Sequence, residues 1–327
     1  FSTWRQRFTN DGGDYEHARC SFINSVAASC HTFPSTRLSL SLSLSLSLME
    51  VVVFFVLACA ITWPMWLTAA TSHPDSRLRM PMLVLGGCGP MVAASVVVAW
   101  NSGLGAAAAL YAQALLVPSL SDAVVALAVP VILVVIGCQL HRLLRPRDAK
   151  VSQTPARKGS LYPSGVAAPL LYLAVMVPTP MLMFEEVGWR AYALPRLLAI
   201  FGDEHEMLAS MALGLMWAVW HWPLFLPGPD VLQPAHALAA ERASLVPRRI
   251  GVYCVLLMLQ TVVMTWCVRR SEAVLPLGLL FHGSFNSAFA CFRIERVGTT
   301  FESVAPVCGA FILLQLTSRA VFGQSIV

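Results

Sequence analysis

The chain has 327 residues, 57% of them hydrophobic and only 12% charged, with a mean hydropathy of +0.68. Soluble domains carry roughly 25% charged residues, so a soluble globular domain is excluded and a polytopic membrane protein is expected. The net charge of +5 belongs to scattered loops. There is no basic face and no basic run interleaved with aromatics, which argues against nucleic acid as a partner and fits loops that hold a membrane orientation.

Residues 1–48 do not read as a folded unit. The chain begins with Phe1, and Leu38 to Leu48 alternates Leu and Ser strictly, as a translated CT dinucleotide repeat would. Met49 is the expected start, and the preceding residues are expected to be disordered or spurious. A transit peptide is the alternative. Arg5, Arg7, Arg19 and Arg37 favour it, and Asp11, Asp14 and Glu16 count against it.

From Met49 to Val327 the sequence reads as one transmembrane domain, all-α, a polytopic helix bundle of eight or nine spans. Val51–Ala70 is long enough to cross a bilayer as a helix, with Pro64 as a tolerated kink. Met80–Trp100 follows, with Gly86, Gly87, Gly89 and Pro90 permitting close helix packing. Leu104–Leu116 reads as a short interfacial or buried helix, and Asp122–Leu140 as a third span. His141–Pro163 is the most basic loop, for which a cytoplasmic side is the first expectation. Ser164–Val177, Met181–Ile200, Leu208–Leu226, Ile250–Val268, Ala273–Phe292 and Val304–Phe322 complete the apolar segments. Of nine cysteines none forms a CxxC pair. Those in apolar segments read as small buried hydrophobes rather than redox or metal ligands.

Three polar sets interrupt these apolar segments. The first is Glu185, Glu186 and Arg190. Glu186 and Arg190 are four apart and face each other on a helix. Glu185 is turned about 100° away by the helical period and is left available. The second is His221, one turn after Trp217. The third is His282 with Asn286, again four apart on one face. Charged groups at membrane depth are costly and default to function. A carboxylate, imidazoles and a carboxamide are what hydrolysis needs: a base for water, and donors where oxyanion charge develops. Plainer explanations stand beside this one. Glu186 with Arg190 suits a structural ion pair, His221 an aromatic belt between Trp220 and Trp222, and His282 with Asn286 interhelical hydrogen bonding. Glutamate and histidine would also suit zinc, but the HExxH helix signature is absent, so spacing alone does not imply a metal.

Taken in order, the EExxxR set, the WxxxH set and the HxxxN set resemble the CPBP family of type II CAAX prenyl proteases and bacteriocin-processing intramembrane peptidases. The neighbourhoods Gly188–Leu197 and Trp217–Phe225 are similar to that family's first two motifs, and the resemblance runs from about Met80 to Cys291. It implies an intramembrane endopeptidase in which Glu185 and His221 activate water, His282 and Asn286 stabilise the oxyanion, and Glu186 and Arg190 give structural support. The resemblance leaves open whether a divalent metal such as zinc takes part; Glu185, His221 and His282 are the candidate ligands. It implies a protein or peptide substrate presented at the membrane, with prenylated CaaX tails among the candidates, and membrane lipid as the surrounding partner. The location implied is an integral multi-pass position: the endoplasmic reticulum or a plastid membrane in a eukaryote, the plasma membrane in a bacterium. The rival expectations are a non-catalytic scaffold or regulator of the same fold and a proton-coupled transporter. Against the transporter, the two halves lack matching interrupted spans.

The mechanism constrains topology. A straight span from Ser164 to Glu186 would leave Glu185 and His221 at opposite faces, about 30 Å apart. Pro178 and Pro180 are therefore expected to break the helix, with a fresh one over Met181–Ile200. Glu185, His221, His282 and Asn286 are expected to converge on one water-accessible pocket.

Overall fold

The computed structural model describes residues 37–73, 76–144, 180–225, 239–291 and 300–322. Among them every regular element is helical. The main ones are α1 (Arg37–Thr71), α2 (Arg79–Gly87), α3 (Gly89–Ala112), α4 (Leu120–Leu144), α5 (Pro180–Glu186), α6 (Leu194–Phe201), α7 (Glu206–Trp220), α8 (Ala239–Val268), α9 (Val274–Cys291) and α10 (Thr300–Phe322). A π-helical turn over Val187–Ala193 joins α5 to α6. The chain divides into two units, Phe1–Ser47 and Leu48–Val327. The Leu-Ser run lies within α1, and residues 1–36 fall outside the described residues, as do most of the basic loop, Ser164–Val177 and Pro178.

Four stretches are long and apolar enough to cross a bilayer: Ser45–Thr71, Arg79–Leu115, Leu120–His141 and Pro247–Val268. They mark an integral membrane protein. Eight or nine such helices are not found among the described residues, for two physical reasons. Helix α7 has only 15 residues, about 22 Å at the helical rise, short of the ~30 Å hydrocarbon core. The acid-bearing segment from α5 to α6 carries Glu185, Glu186, Arg190 and Arg196 and is therefore not apolar throughout. The Arg79–Leu115 stretch is not straight either. Gly103 sits at φ 85°, ψ 168°, a conformation that glycine adopts readily and other residues do not. Beyond it the chain folds back, so that the Tyr111 hydroxyl meets Ser95 Oγ at 2.6 Å. Sixteen residues of straight helix would hold those groups about 24 Å apart. Met80–Trp100 thus ends where expected, and Leu104–Ala112 is a separate short helix.

Small residues set the packing. An added Cβ at Gly89 would stand 2.7 Å from Ala58 O of α1. One at Gly214 of α7 would stand 2.6 Å from Leu257 O and 2.6 Å from Met258 Cα of α8. Both obstacles are backbone, which cannot rotate aside. Gly214→Ala is therefore expected to cost about 1–3 kcal/mol through overpacking, read as a lower unfolding temperature in detergent. Buried polar groups tie the helices laterally. Thr62 Oγ1 donates to Gly86 O at 2.7 Å and accepts from Trp220 Nε1 at 2.7 Å. Trp63 Nε1 donates to Trp220 O at 3.1 Å, and Ser284 Oγ of α9 to Leu127 O of α4 at 2.6 Å. At one end Arg269 pairs with Asp203 (3.1 Å) and Glu206 (3.0 Å), pinning the α8–α9 turn to the start of α7. These contacts hold the C-terminal end of α7 against α1 and α8, which is where the polar residues gather.

Candidate active site

The acids enter on α5, whose first residue is Pro180. The break expected at Pro178 and Pro180 falls at the edge of the described residues, and Pro178 lies outside them. Helix α5 continues through the π turn Val187–Ala193, whose seven residues are all buried. Single π turns inside α-helices are frequent at functional sites. Gly188 makes this one possible, since an added Cβ would stand 2.6 Å from the Pro90 carbonyl carbon of α3. Phe54 packs edge-on to Trp189, with centroids 5.3 Å apart, and so fixes the other flank.

The two carboxylates have different partners. Glu186, fully buried, accepts from Arg190 Nη1 at 3.2 Å on Oε1, and Arg190 Nε lies 3.2 Å from Oε2. The second approach is off the hydrogen-bonding angle, so Oε2 has an ion-pair partner without a hydrogen bond. His282 Nδ1 also meets Glu186 Oε1, at 2.9 Å. Arg190 has two further contacts: Nη2 donates to Met264 Sδ at 2.6 Å, and the guanidinium lies 4.3 Å from the Trp217 ring centre. Glu185 was expected to be left available. Instead its Oε2 accepts from Trp217 Nε1 at 2.9 Å. The helical period shows only that Glu185 faces away from Arg190; it does not show that α7 delivers an indole to that face.

Trp217 is the common neighbour. Besides Glu185 and Arg190, it packs edge-on to His282 with centroids 5.1 Å apart and tilted against His221 at 5.9 Å. His221 Nδ1 lies 2.8 Å from Trp217 O. A carbonyl only accepts, so Nδ1 carries a proton, and Nε2 is the atom His221 has left for a second partner. Trp66, Trp220 and Tyr253 surround the ring at 5.6, 4.7 and 5.5 Å. Glu185, His221 and His282 thus share one indole as neighbour. Asn286 is half-buried one turn beyond His282 on α9 and makes no hydrogen bond with a described residue. His282, expected to act beside Asn286, also belongs to the Glu186–Arg190 pair. Tyr253 and Met264 were not singled out from sequence, and Trp217 was named only as the WxxxH neighbour of His221, without a role. Trp217 carried a signal in its i, i+4 spacing from His221, whereas Tyr253 and Met264 sit in an ordinary apolar run.

Among the described residues no group of three His, Cys, Asp or Glu side chains is arranged to hold a metal ion. Of the candidate ligands, Glu185 keeps Oε1 beside its bond to Trp217, and His282 keeps Nε2 beside its contact with Glu186. The six described cysteines are free thiols, none grouped with these donors.

Comparison with known proteins gives two matches. Residues 163–288 match the family model described as type II CAAX prenyl endopeptidase Rce1-like. That interval contains Glu185, Glu186, Arg190, Trp217, His221, His282 and Asn286, and it begins well after Met80. A 56-residue stretch is 38% identical to CAAX prenyl protease 2 of Methanococcus maripaludis. It covers 17% of this chain and 18% of that protein. Over residues 163–288 the chain is similar to the Rce1-like type II CAAX prenyl endopeptidases, and it spans less than a fifth of the curated relative it matches.

Proposed function

We propose that this protein is an intramembrane endopeptidase that hydrolyses a peptide bond near the C-terminus of a membrane-presented substrate, with prenylated CaaX tails as the substrate class. The supporting observation is the shared indole. Glu185 and His221 come from different helices, yet both contact Trp217, one by a 2.9 Å hydrogen bond and one by ring packing at 5.9 Å. Each keeps an atom for water. Glu185 Oε1 takes no hydrogen bond from a described residue, and with His221 Nδ1 committed to Trp217 O, Nε2 is the nitrogen that can meet water.

In the proposed reaction Glu185 takes a proton from water as the water oxygen attacks the scissile carbonyl carbon. His221 Nε2 orients that water. The carbonyl oxygen becomes an oxyanion, stabilised by the His282 imidazole and the carboxamide of Asn286. Glu185 then passes its proton to the departing amide nitrogen. Glu186 supports the second histidine through its Nδ1 contact at 2.9 Å.

The test is cleavage of a prenylated CaaX peptide by the purified full-length protein in proteoliposomes, with release of the terminal tripeptide as the readout. Wild type is expected to cleave, the unprenylated peptide to be a poorer substrate, and Glu185→Ala to be inactive. Folded wild-type protein that releases no tripeptide would overturn the proposal in favour of a non-catalytic scaffold of the same fold.

A further inference from the structure

We propose that Trp217 is a positioning residue for Glu185: its indole N–H holds one carboxylate oxygen so that the other faces the water. This rests on the hydrolytic reading of the site. Trp217 is 2% exposed, and a fully apolar ring of similar shape would fill the same space. Its N–H nevertheless donates to Glu185 Oε2 at 2.9 Å across 32 residues of sequence. The same core shows that an indole N–H here needs no such partner to be accommodated, because the buried Trp189 Nε1 has none. The bond selects one carboxylate oxygen and so restricts rotation about the last side-chain torsion of Glu185. That torsion is otherwise broad and roughly two-fold.

The indole also gives the two acids different hydrogen-bond donors. Arg190 lies over its ring at 4.3 Å and points Nη1 to Glu186 and Nη2 to Met264. Glu185 instead takes a neutral donor from the indole edge. A carboxylate paired with a guanidinium is a weak base. One held by a neutral N–H keeps its capacity to accept a proton while losing its freedom to turn. The ring face and the ring edge of Trp217 thus have separate tasks, and the two can be tested separately.

Trp217→Phe keeps a face for Arg190 and removes the N–H. Its kcat for the prenylated peptide is expected to fall roughly tenfold to a hundredfold, the scale of one hydrogen bond to a charged group. KM and folded yield are expected to stay near wild type. Trp217→Ala is expected to lose folded yield as well. In the Glu185→Asp background the carboxylate is already drawn back from the indole, so adding Trp217→Phe is expected to change kcat little, whereas independent roles would give additive losses. Should Trp217→Phe not fold, benzothienylalanine at position 217 replaces the N–H by sulfur at nearly constant shape and tests the same bond. Unchanged kcat in either N–H-free protein, or additive losses with Glu185→Asp, would overturn the inference. A wild-type protein without activity would instead count against the hydrolytic reading.

Discussion

Glu186→Ala is expected to destabilise the folded protein by about 3–5 kcal/mol, because it removes one partner of a buried ion pair and leaves the other charge unpaired. Arg190 is 1% exposed and Glu186 is fully buried, so water is poorly placed to compensate. The contacts left to Arg190 are the Trp217 ring and the Met264 thioether, neither of which carries opposite charge. The same substitution strips His282 Nδ1 of its partner at 2.9 Å, so Arg190 and His282 lose a shared partner together. Domains are commonly stable by only about 5–15 kcal/mol, so most of the margin would go. Arg190→Ala is expected to act in the same direction. Replacing both partners with apolar groups, as in Glu186→Leu with Arg190→Met, is expected to be less damaging than either single change, since no buried charge is orphaned. Monodisperse yield after size exclusion and the unfolding temperature in detergent measure this. Wild-type values for Glu186→Ala would dismiss the structural role of the pair.

Glu185→Gln is expected to do the reverse: folded yield near wild type, and kcat lower by about 10²–10⁴-fold, the usual contribution of a general base. A glutamine side chain has nearly the same shape, and its carbonyl oxygen can still accept from Trp217 Nε1, so the contact made at 2.9 Å in the native protein has a substitute. What it cannot do is take a proton from water. The adjacent acids should therefore separate cleanly, Glu186 on folding and Glu185 on turnover. A Glu185→Gln protein that cleaves the prenylated peptide at the wild-type rate would remove Glu185 as the base. One that loses as much folded protein as Glu186→Ala would remove the division of roles.

The sequence by itself determined what depends on composition and on neighbours within a turn. Low charge and long apolar runs imply a helical membrane protein, since only local backbone hydrogen bonding satisfies a helix in lipid. Spacing of four places Glu186 opposite Arg190, and the structure has them at 3.2 Å. The tertiary structure alone decided which distant groups meet. The partner of Glu185 is Trp217, and the second partner of Glu186 is His282, 96 residues away. Helical periodicity assigns a direction on one helix but not which neighbouring helix lies there; that depends on packing, here on Gly188 against Pro90 and Gly214 against the α8 backbone. The π turn and the fold-back at Gly103 escaped for the same reason. Each is a local departure from regular helix that only the surrounding contacts stabilise, and the apolar pattern reads the same whether the chain runs straight or turns.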